Sequence, residues 1–131
     1  MAQQIWPAFI TLLTFGVLIW VMFIVGHYRG KYGVKAPAIS GNPMFERAYR
    51  VQMNTIESVV IFLPALWLAS RWGSWYVVAV AGCLWVAGRI LYALGYLKDP
   101  AKRSLGFGVS FNAIIALIAD SAIGVARALL A

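Results

Sequence analysis

Four long apolar segments dominate the sequence and restrict what the chain can fold into. Each approaches the length of about 20 residues that carries an α-helix across a bilayer, and together they cover residues 5–28, 45–70, 74–97 and 104–130. The apolar fraction is 63 % and the charged fraction 11 %, whereas soluble domains average about 45–50 % and about 25 %. The sequence therefore predicts an all-α integral membrane protein, a four-helix bundle that forms a single domain over residues 1–131.

The charges of the loops predict how these helices are oriented. Residues 29–44 and residues 98–103 are both rich in cations, and an even number of spans separates them, so they lie on the same side of the membrane. Because an excess of Lys and Arg marks cytoplasmic loops, we expect both loops in the cytoplasm, and short loops fit a bacterial inner membrane. The first apolar segment is too long for the apolar core of a signal peptide, so we interpret it as a retained helix.

The second apolar segment begins with polar side chains that a lipid-facing helix would not carry. Arg50, Asn54 and Glu57 follow the spacing i, i+4, i+7, which puts them on one face of an α-helix. Gln52 points about 160° away from Asn54. Charges at the bilayer centre cost about 2.5–3.5 kcal/mol each, so this face should border a protein interior or a wet cavity. Two interpretations are open: a closed network in which Asn54 bridges Arg50 and Glu57, and a ligand cavity.

A second polar line lies on the third segment. Arg89, Tyr92 and Tyr96 are spaced i, i+3, i+7 and share one face, and Arg103 follows at the start of the fourth segment. Taken singly, the tyrosines could belong to an interfacial belt and the arginine could simply be solvated. Together the two polar faces would meet at the cytoplasmic side and suit a small polar anion. A tripeptide with two carboxylates and an ammonium would fit this set of groups well.

Metal sites and internal disulfides are not expected. The chain has one cysteine, Cys83, and one histidine, His27, and neither has a partner at the spacing of a metal site. The charged chemistry therefore has to come from arginines, lysines and the few acidic residues.

Other residues inside the spans have structural interpretations. Gly88 and Gly95 are seven residues apart on the third segment, and small residues of this kind predict close packing against another helix. Asp120 lies well inside the fourth segment. It either joins an interhelical hydrogen-bond network with Ser121 and Asn112 or lines the axis of an oligomer.

Two stretches of the sequence resemble the MAPEG family, the membrane-associated proteins in eicosanoid and glutathione metabolism. The stretch ERAYRVQMNTIESVVIFLPALWLA, residues 46–69, is similar to the second-helix signature, roughly E-R-x-x-R-x-x-x-N-x-x-E followed by an apolar run with a proline. The stretch GRILYALGYLKDPAKRSLG, residues 88–106, resembles the end of the third helix and the arginine that follows it. The resemblance extends over essentially the whole chain and is to the branch of glutathione transferases and leukotriene C4 synthase.

The resemblance implies a homotrimer of four-helix subunits with glutathione bound between adjacent subunits. The positions that match glutathione contacts on one subunit are Arg50, Asn54, Glu57, Tyr92 and Tyr96. Arg29 and Gln52 match contacts from the neighbouring subunit. Arg103 matches the arginine to which activation of the thiol is attributed. No metal is implied.

The function implied is that of a membrane-bound glutathione transferase acting on hydrophobic electrophiles, with reduction of lipid hydroperoxides open as an additional activity. Ser58 stands where the leukotriene-synthase branch has a tyrosine, and Gly30 stands where it has a second arginine, which argues against leukotriene synthesis itself. Two other functions are open: a non-catalytic lipid-binding or scaffold protein of the same fold, and a small membrane transporter subunit.

Overall fold

Helices account for most of the chain. The computed structural model describes residues 2–131, with side chains from residue 4 onward. The four α-helices are α1 (Ala2–Tyr32), α2 (Pro43–Trp72), α3 (Trp75–Lys98) and α4 (Ser104–Leu130), and a 3₁₀ turn at Pro100–Arg103 leads into α4. All four are long and apolar enough to cross a membrane. The predicted all-α architecture with four spans is therefore confirmed.

The bundle buries an apolar core and leaves apolar side chains on its outer surface as well. In the core, Phe62 of α2 stacks on Trp85 of α3 with ring centroids 3.9 Å apart, and Leu117 of α4 packs into the same cluster. On the outside, Phe23 is 74 % exposed and Val60 is 68 % exposed. A continuous apolar exterior of this kind is typical of a surface that contacts lipid.

The start of α2 is fixed by a local cap. The side-chain oxygen of Asn42 accepts hydrogen bonds from the backbone N–H groups of Met44 at 2.9 Å and Phe45 at 3.1 Å, and Pro43 occupies the first helical position. Asparagine at this position and proline directly after it are both favoured at helix N-termini. The polar face of α2 therefore begins about two turns inside a well-defined helix.

Glycines allow α3 to approach both α4 and the 3₁₀ turn closely. A Cβ atom on Gly88 would lie 2.8 Å from the backbone nitrogen of Ser110, and one on Gly95 would lie 2.6 Å from the carbonyl oxygen of Lys102. Real Cβ atoms essentially never come within 3.0 Å of such atoms. The close packing predicted at Gly88 and Gly95 is therefore confirmed.

Asp120 stabilises the beginning of α3 from the neighbouring helix α4. One carboxylate oxygen accepts from the backbone N–H of Ser74 at 2.6 Å, and the other accepts from the Ser74 hydroxyl at 3.2 Å. The predicted interhelical network exists, but Ser74 is the partner. Ser121 donates to the carbonyl of Ile118, and Asn112 donates to the carbonyl of its own helix at Gly108. Including Ser121 and Asn112 in the network was therefore wrong.

Replacing Asp120 by alanine should lower the free energy of unfolding by about 1–3 kcal/mol. The change removes both hydrogen bonds of an ionised acceptor and a negative charge at a helix N-terminus. Thermal unfolding of the detergent-purified protein measures the effect. Ser121→Ala is the matched control, because in the described part of the chain its hydroxyl bonds only to a carbonyl of α4. An unfolding temperature of Asp120→Ala equal to that of this control would contradict the capping role.

Candidate functional site

A polar cavity of about 510 Å³ opens between α2, α3 and the start of α4. Its walls carry five of the residues that the sequence singled out, namely Arg50, Asn54, Tyr92, Tyr96 and Arg103, together with Ser104 and Phe107. The helices bring these residues together because each contributes one face: Arg50 and Asn54 are one turn apart on α2, and Tyr92 and Tyr96 are one turn apart on α3.

The 3₁₀ turn returns the chain toward the two tyrosines. Asp99 caps this turn, its side-chain oxygen accepting from the backbone N–H of Ala101 at 3.0 Å. The guanidinium of Arg103 donates to the carbonyl of Pro100 at 3.0 Å and lies 5.9 Å from the ring centroid of Tyr96. Arg103 is exposed, so the turn holds a cation at the cavity mouth while the guanidinium keeps other N–H groups free to donate.

Arg89 is buried at the floor of this region. It is 1 % exposed, and one of its terminal nitrogens donates to the Asn54 side-chain oxygen at 2.8 Å and to the Thr55 hydroxyl at 3.0 Å. The guanidinium carbon lies 4.1 Å from the ring centroid of Tyr92. Asn54 therefore bonds to Arg89, and the closed network in which it would bridge Arg50 and Glu57 is wrong.

A second cavity of about 290 Å³ continues from the first between α2, α3 and α4, and Arg89 of α3 is one of its wall residues. The two cavities share Asn54 and Phe107 as wall residues. Glu57 lies on the wall of the second cavity and is exposed. The rings of Phe107 and Phe111 stack with centroids 5.9 Å apart. The two cavities together form a groove that is cationic at Arg103 and largely apolar at its other end, near Phe111.

Ser58 borders the second cavity and accepts a hydrogen bond from the indole N–H of Trp85 at 3.0 Å. A serine leaves more open volume here than a tyrosine would.

Arg29 and Gln52 lie outside both cavities of their own chain. The guanidinium of Arg29 donates to the carbonyls of Val34 at 3.3 Å and Ala38 at 2.6 Å and lies 4.7 Å from the ring centroid of Phe45. Gln52 is half-buried on α2. Their assignment to the site of a neighbouring subunit stays a prediction.

Sequence reasoning missed the contribution of α4 beyond Arg103. Phe107, Ser110 and Ile114 line the groove and follow Arg103 at i+4, i+7 and i+11, which is the periodicity of one helix face. The same spacing rule that identified the faces of α2 and α3 could have identified this one. No spacing in the sequence indicated that Thr55 would accept a hydrogen bond from Arg89.

Comparison with known proteins identifies similar sequences over nearly the whole chain. The model of the MAPEG family matches residues 7–123. An uncharacterized protein of Synechocystis is 42 % identical over 117 residues, covering 88 % of this chain and 85 % of that protein. Human microsomal glutathione S-transferase 2 is 37 % identical over 106 residues, 81 % of this chain and 72 % of that protein. Bovine leukotriene C4 synthase is 34 % identical over 119 residues, 89 % and 78 % of the two chains.

Proposed function

The chain belongs to the MAPEG family, and we propose that it is a membrane-bound glutathione transferase that activates the glutathione thiol and joins it to hydrophobic electrophiles. Relatives named as glutathione S-transferase and leukotriene C4 synthase make a glutathione-related membrane enzyme the family-level function. The observation that carries the finer proposal is the cavity that joins Arg50, Asn54, Tyr92, Tyr96 and Arg103. Its volume of about 510 Å³ lies in the range typical of small-molecule sites.

The groups of the cavity complement those of glutathione. Arg50 suits a carboxylate, since a guanidinium can bind one through two parallel hydrogen bonds. Glu57 suits the ammonium. Asn54 and the two tyrosines, Tyr92 and Tyr96, offer hydrogen bonds to the peptide groups.

We further propose that three subunits form a homotrimer in which a neighbour completes each site with Arg29 and Gln52. Arg50 and Glu57 are exposed in the single subunit, which leaves room for a second protein surface over the ligand. We assign residues 29–44 and 98–103 to the cytoplasmic side of a bacterial inner membrane, where glutathione in solution would reach the cationic end of the groove.

Arg103 is the residue that we assign to thiol activation. A free thiol has a pKa of about 8.5, so only a few per cent is thiolate at neutral pH. Lowering that pKa by two units requires about 2.7 kcal/mol, and a charge-assisted hydrogen bond from a guanidinium can provide this. The proton leaves to water at the exposed cavity mouth. The thiolate sulfur then attacks the electrophilic carbon, a C–S bond forms, and the leaving group departs with its electron pair.

The electrophile would enter from the bilayer into the apolar half of the groove. Phe107, Phe111 and Ile114 line this part and suit a hydrophobic substrate. The same arrangement could present a lipid hydroperoxide to the thiolate. A cationic pocket that leads into an apolar groove favours an enzyme over a non-catalytic lipid-binding protein. A polar cavity confined to one end of the bundle favours a ligand-binding site over a transport path.

Titration with glutathione tests the proposed function. In thermal unfolding of the purified protein, glutathione at 100 times its Kd should stabilise the folded state by about 2.7 kcal/mol, and a chloronitrobenzene should yield a glutathione conjugate. Arg50→Ala should weaken binding. Arg71→Ala, at the other end of the same helix, should bind like the wild type. No stabilisation at millimolar glutathione together with no conjugate would refute the proposal.

A further inference from the structure

The buried guanidinium of Arg89 has an unusual environment for a charge inside a membrane-spanning helix. It is 1 % exposed, and its side-chain partners within residues 2–131 are the neutral oxygens of Asn54, Thr55 and Ser110. Its Nε nitrogen is buried with no hydrogen-bond partner there. Ionisable groups buried inside membrane-spanning helices are costly and rare. A role of Arg89 in ligand binding at the adjacent cavity would explain why an arginine is present here.

The hydrogen bonds around Arg89 have fixed directions. The Thr55 hydroxyl donates to the carbonyl of Val51 at 2.7 Å, and the Ser110 hydroxyl donates to the carbonyl of Phe107 at 3.1 Å. Both hydroxyls have therefore used their only hydrogen and can offer only lone pairs to the guanidinium. An arginine in turn can only donate. The polarity of the network is fixed from both sides.

This polarity determines how the Asn54 amide is oriented. The amide oxygen and nitrogen of an asparagine are interchangeable by a flip, and the neighbouring groups decide which orientation occurs. A flipped Asn54 would direct its NH₂ group at the guanidinium, donor against donor. The oxygen must therefore face Arg89, and the NH₂ group is left for the cavity that Asn54 also lines.

We propose that Arg89 is a positioning residue that locks the Asn54 amide with its NH₂ group toward the ligand, so that this wall selects a carbonyl or carboxylate oxygen. The inference rests on glutathione as the ligand, and it sets the orientation of that ligand. An oxygen of the peptide lies against Asn54, and the ammonium lies toward Glu57 on the neighbouring wall. The guanidinium carbon also lies 4.1 Å from the ring centroid of Tyr92, which restrains the arginine further.

The variant Asn54→Asp tests whether Arg89 orients Asn54 for the ligand or only stabilises the fold. The aspartate keeps an oxygen for Arg89 and gains an ion pair with it, so the unfolding temperature should stay the same or rise. In the cavity, however, an acceptor replaces the donor. The affinity for glutathione should therefore fall by about 100-fold. Binding as tight as that of the wild type would overturn the proposal.

A double-mutant cycle tests whether Arg89 acts through Asn54. Arg89→Gln frees the amide, and we expect the KM for glutathione to rise by about tenfold with little change in kcat. In the Asn54→Ala background the same change should have no further effect on KM. Thr55→Val removes the other short hydrogen bond of Arg89 but no group of the polar cavity, so it should lower the unfolding temperature and leave KM near the wild-type value.

These measurements distinguish a failure of the positioning role from a failure of the proposed function. An Arg89→Gln effect on KM that persists in the Asn54→Ala background would overturn the positioning role. If Arg89→Gln does not fold, the Asn54→Asp measurement decides, since that variant retains the arginine. Saturation of the wild type by glutathione tests the proposed function by itself, so its failure is distinguishable from failure of the positioning role.

Discussion

Replacing Arg103 by alanine should abolish most of the thiolate that forms when glutathione binds. If the arginine lowers the thiol pKa by two units from about 8.5, the thiolate fraction at pH 7 falls from about 75 % in the wild type to about 3 % in the variant. The ultraviolet difference absorbance of the thiolate at saturating glutathione measures this directly. The conjugation rate should fall by a smaller factor, because a less basic thiolate is also a weaker nucleophile.

The pH dependence gives this prediction a definite sign. A cation stabilises the deprotonated sulfur, so its removal raises the thiol pKa. The difference in thiolate fraction between wild type and Arg103→Ala should therefore be largest near pH 7.5, about midway between the two pKa values, and should disappear only above about pH 10, where both thiols are deprotonated. The folded state should change little, because the side chain is exposed and its only hydrogen bond within residues 2–131 goes to the carbonyl of Pro100.

Lys102→Ala is the matched control for Arg103→Ala. Lys102 is the adjacent exposed cation of the same turn and does not line the cavity described above. Its removal should leave the thiolate absorbance unchanged, whereas a general loss of positive charge at this surface would affect both variants. Equal absorbance in Arg103→Ala and the wild type would show that another group activates the thiol.

Features set by local periodicity could be predicted from the sequence. The apolar runs located all four spans, although α1 ends at Tyr32 and not at residue 28. Hydropathy marks the part of a helix that lies in lipid, whereas backbone hydrogen bonding continues the helix into the polar region beyond it. That Arg50 shares a face of α2 with Asn54, and Tyr92 a face of α3 with Tyr96, was likewise predictable, because residues one turn apart must share a face.

Features that depend on how two helices are rotated against each other could not be predicted. Arg89 and Asn54 are separated by 35 residues, and Ser74 and Asp120 by 46. No periodicity within one helix specifies such pairs. Periodicity therefore located the polar groups, whereas the two networks that it offered as alternatives, Arg50 with Glu57 through Asn54 and Asp120 with Ser121, named the wrong partners.

Gly106→Ala should damage the fold and the site together. A Cβ atom at Gly106 would meet the backbone nitrogen of Tyr92 and would lie 2.6 Å from the carbonyl oxygen of Gly88. Both obstacles are backbone atoms of α3, so no side-chain rotation can relieve the contact and the two helices must separate. We expect a loss of about 3 kcal/mol or more in unfolding free energy, measured by thermal unfolding, and loss of glutathione binding.

Gly108→Ala distinguishes a packing effect from a general effect of glycine replacement. Gly108 lies on the same helix, and a Cβ there would meet nothing within 4 Å. Its replacement should leave binding intact and stabilise the helix by up to about 1 kcal/mol through alanine's better helix propensity. If both variants unfold at the same temperature, close contact between α3 and α4 is not what holds the bundle. If Gly106→Ala unfolds early yet still binds glutathione, the cavity does not depend on that contact. We expect Gly106→Ala to lose both stability and glutathione binding for one reason. Gly106 lies between Arg103 and Phe107 in the sequence and contacts the backbone of Tyr92 in α3. These three residues line the ligand site, so the spacing of α3 and α4 sets its width.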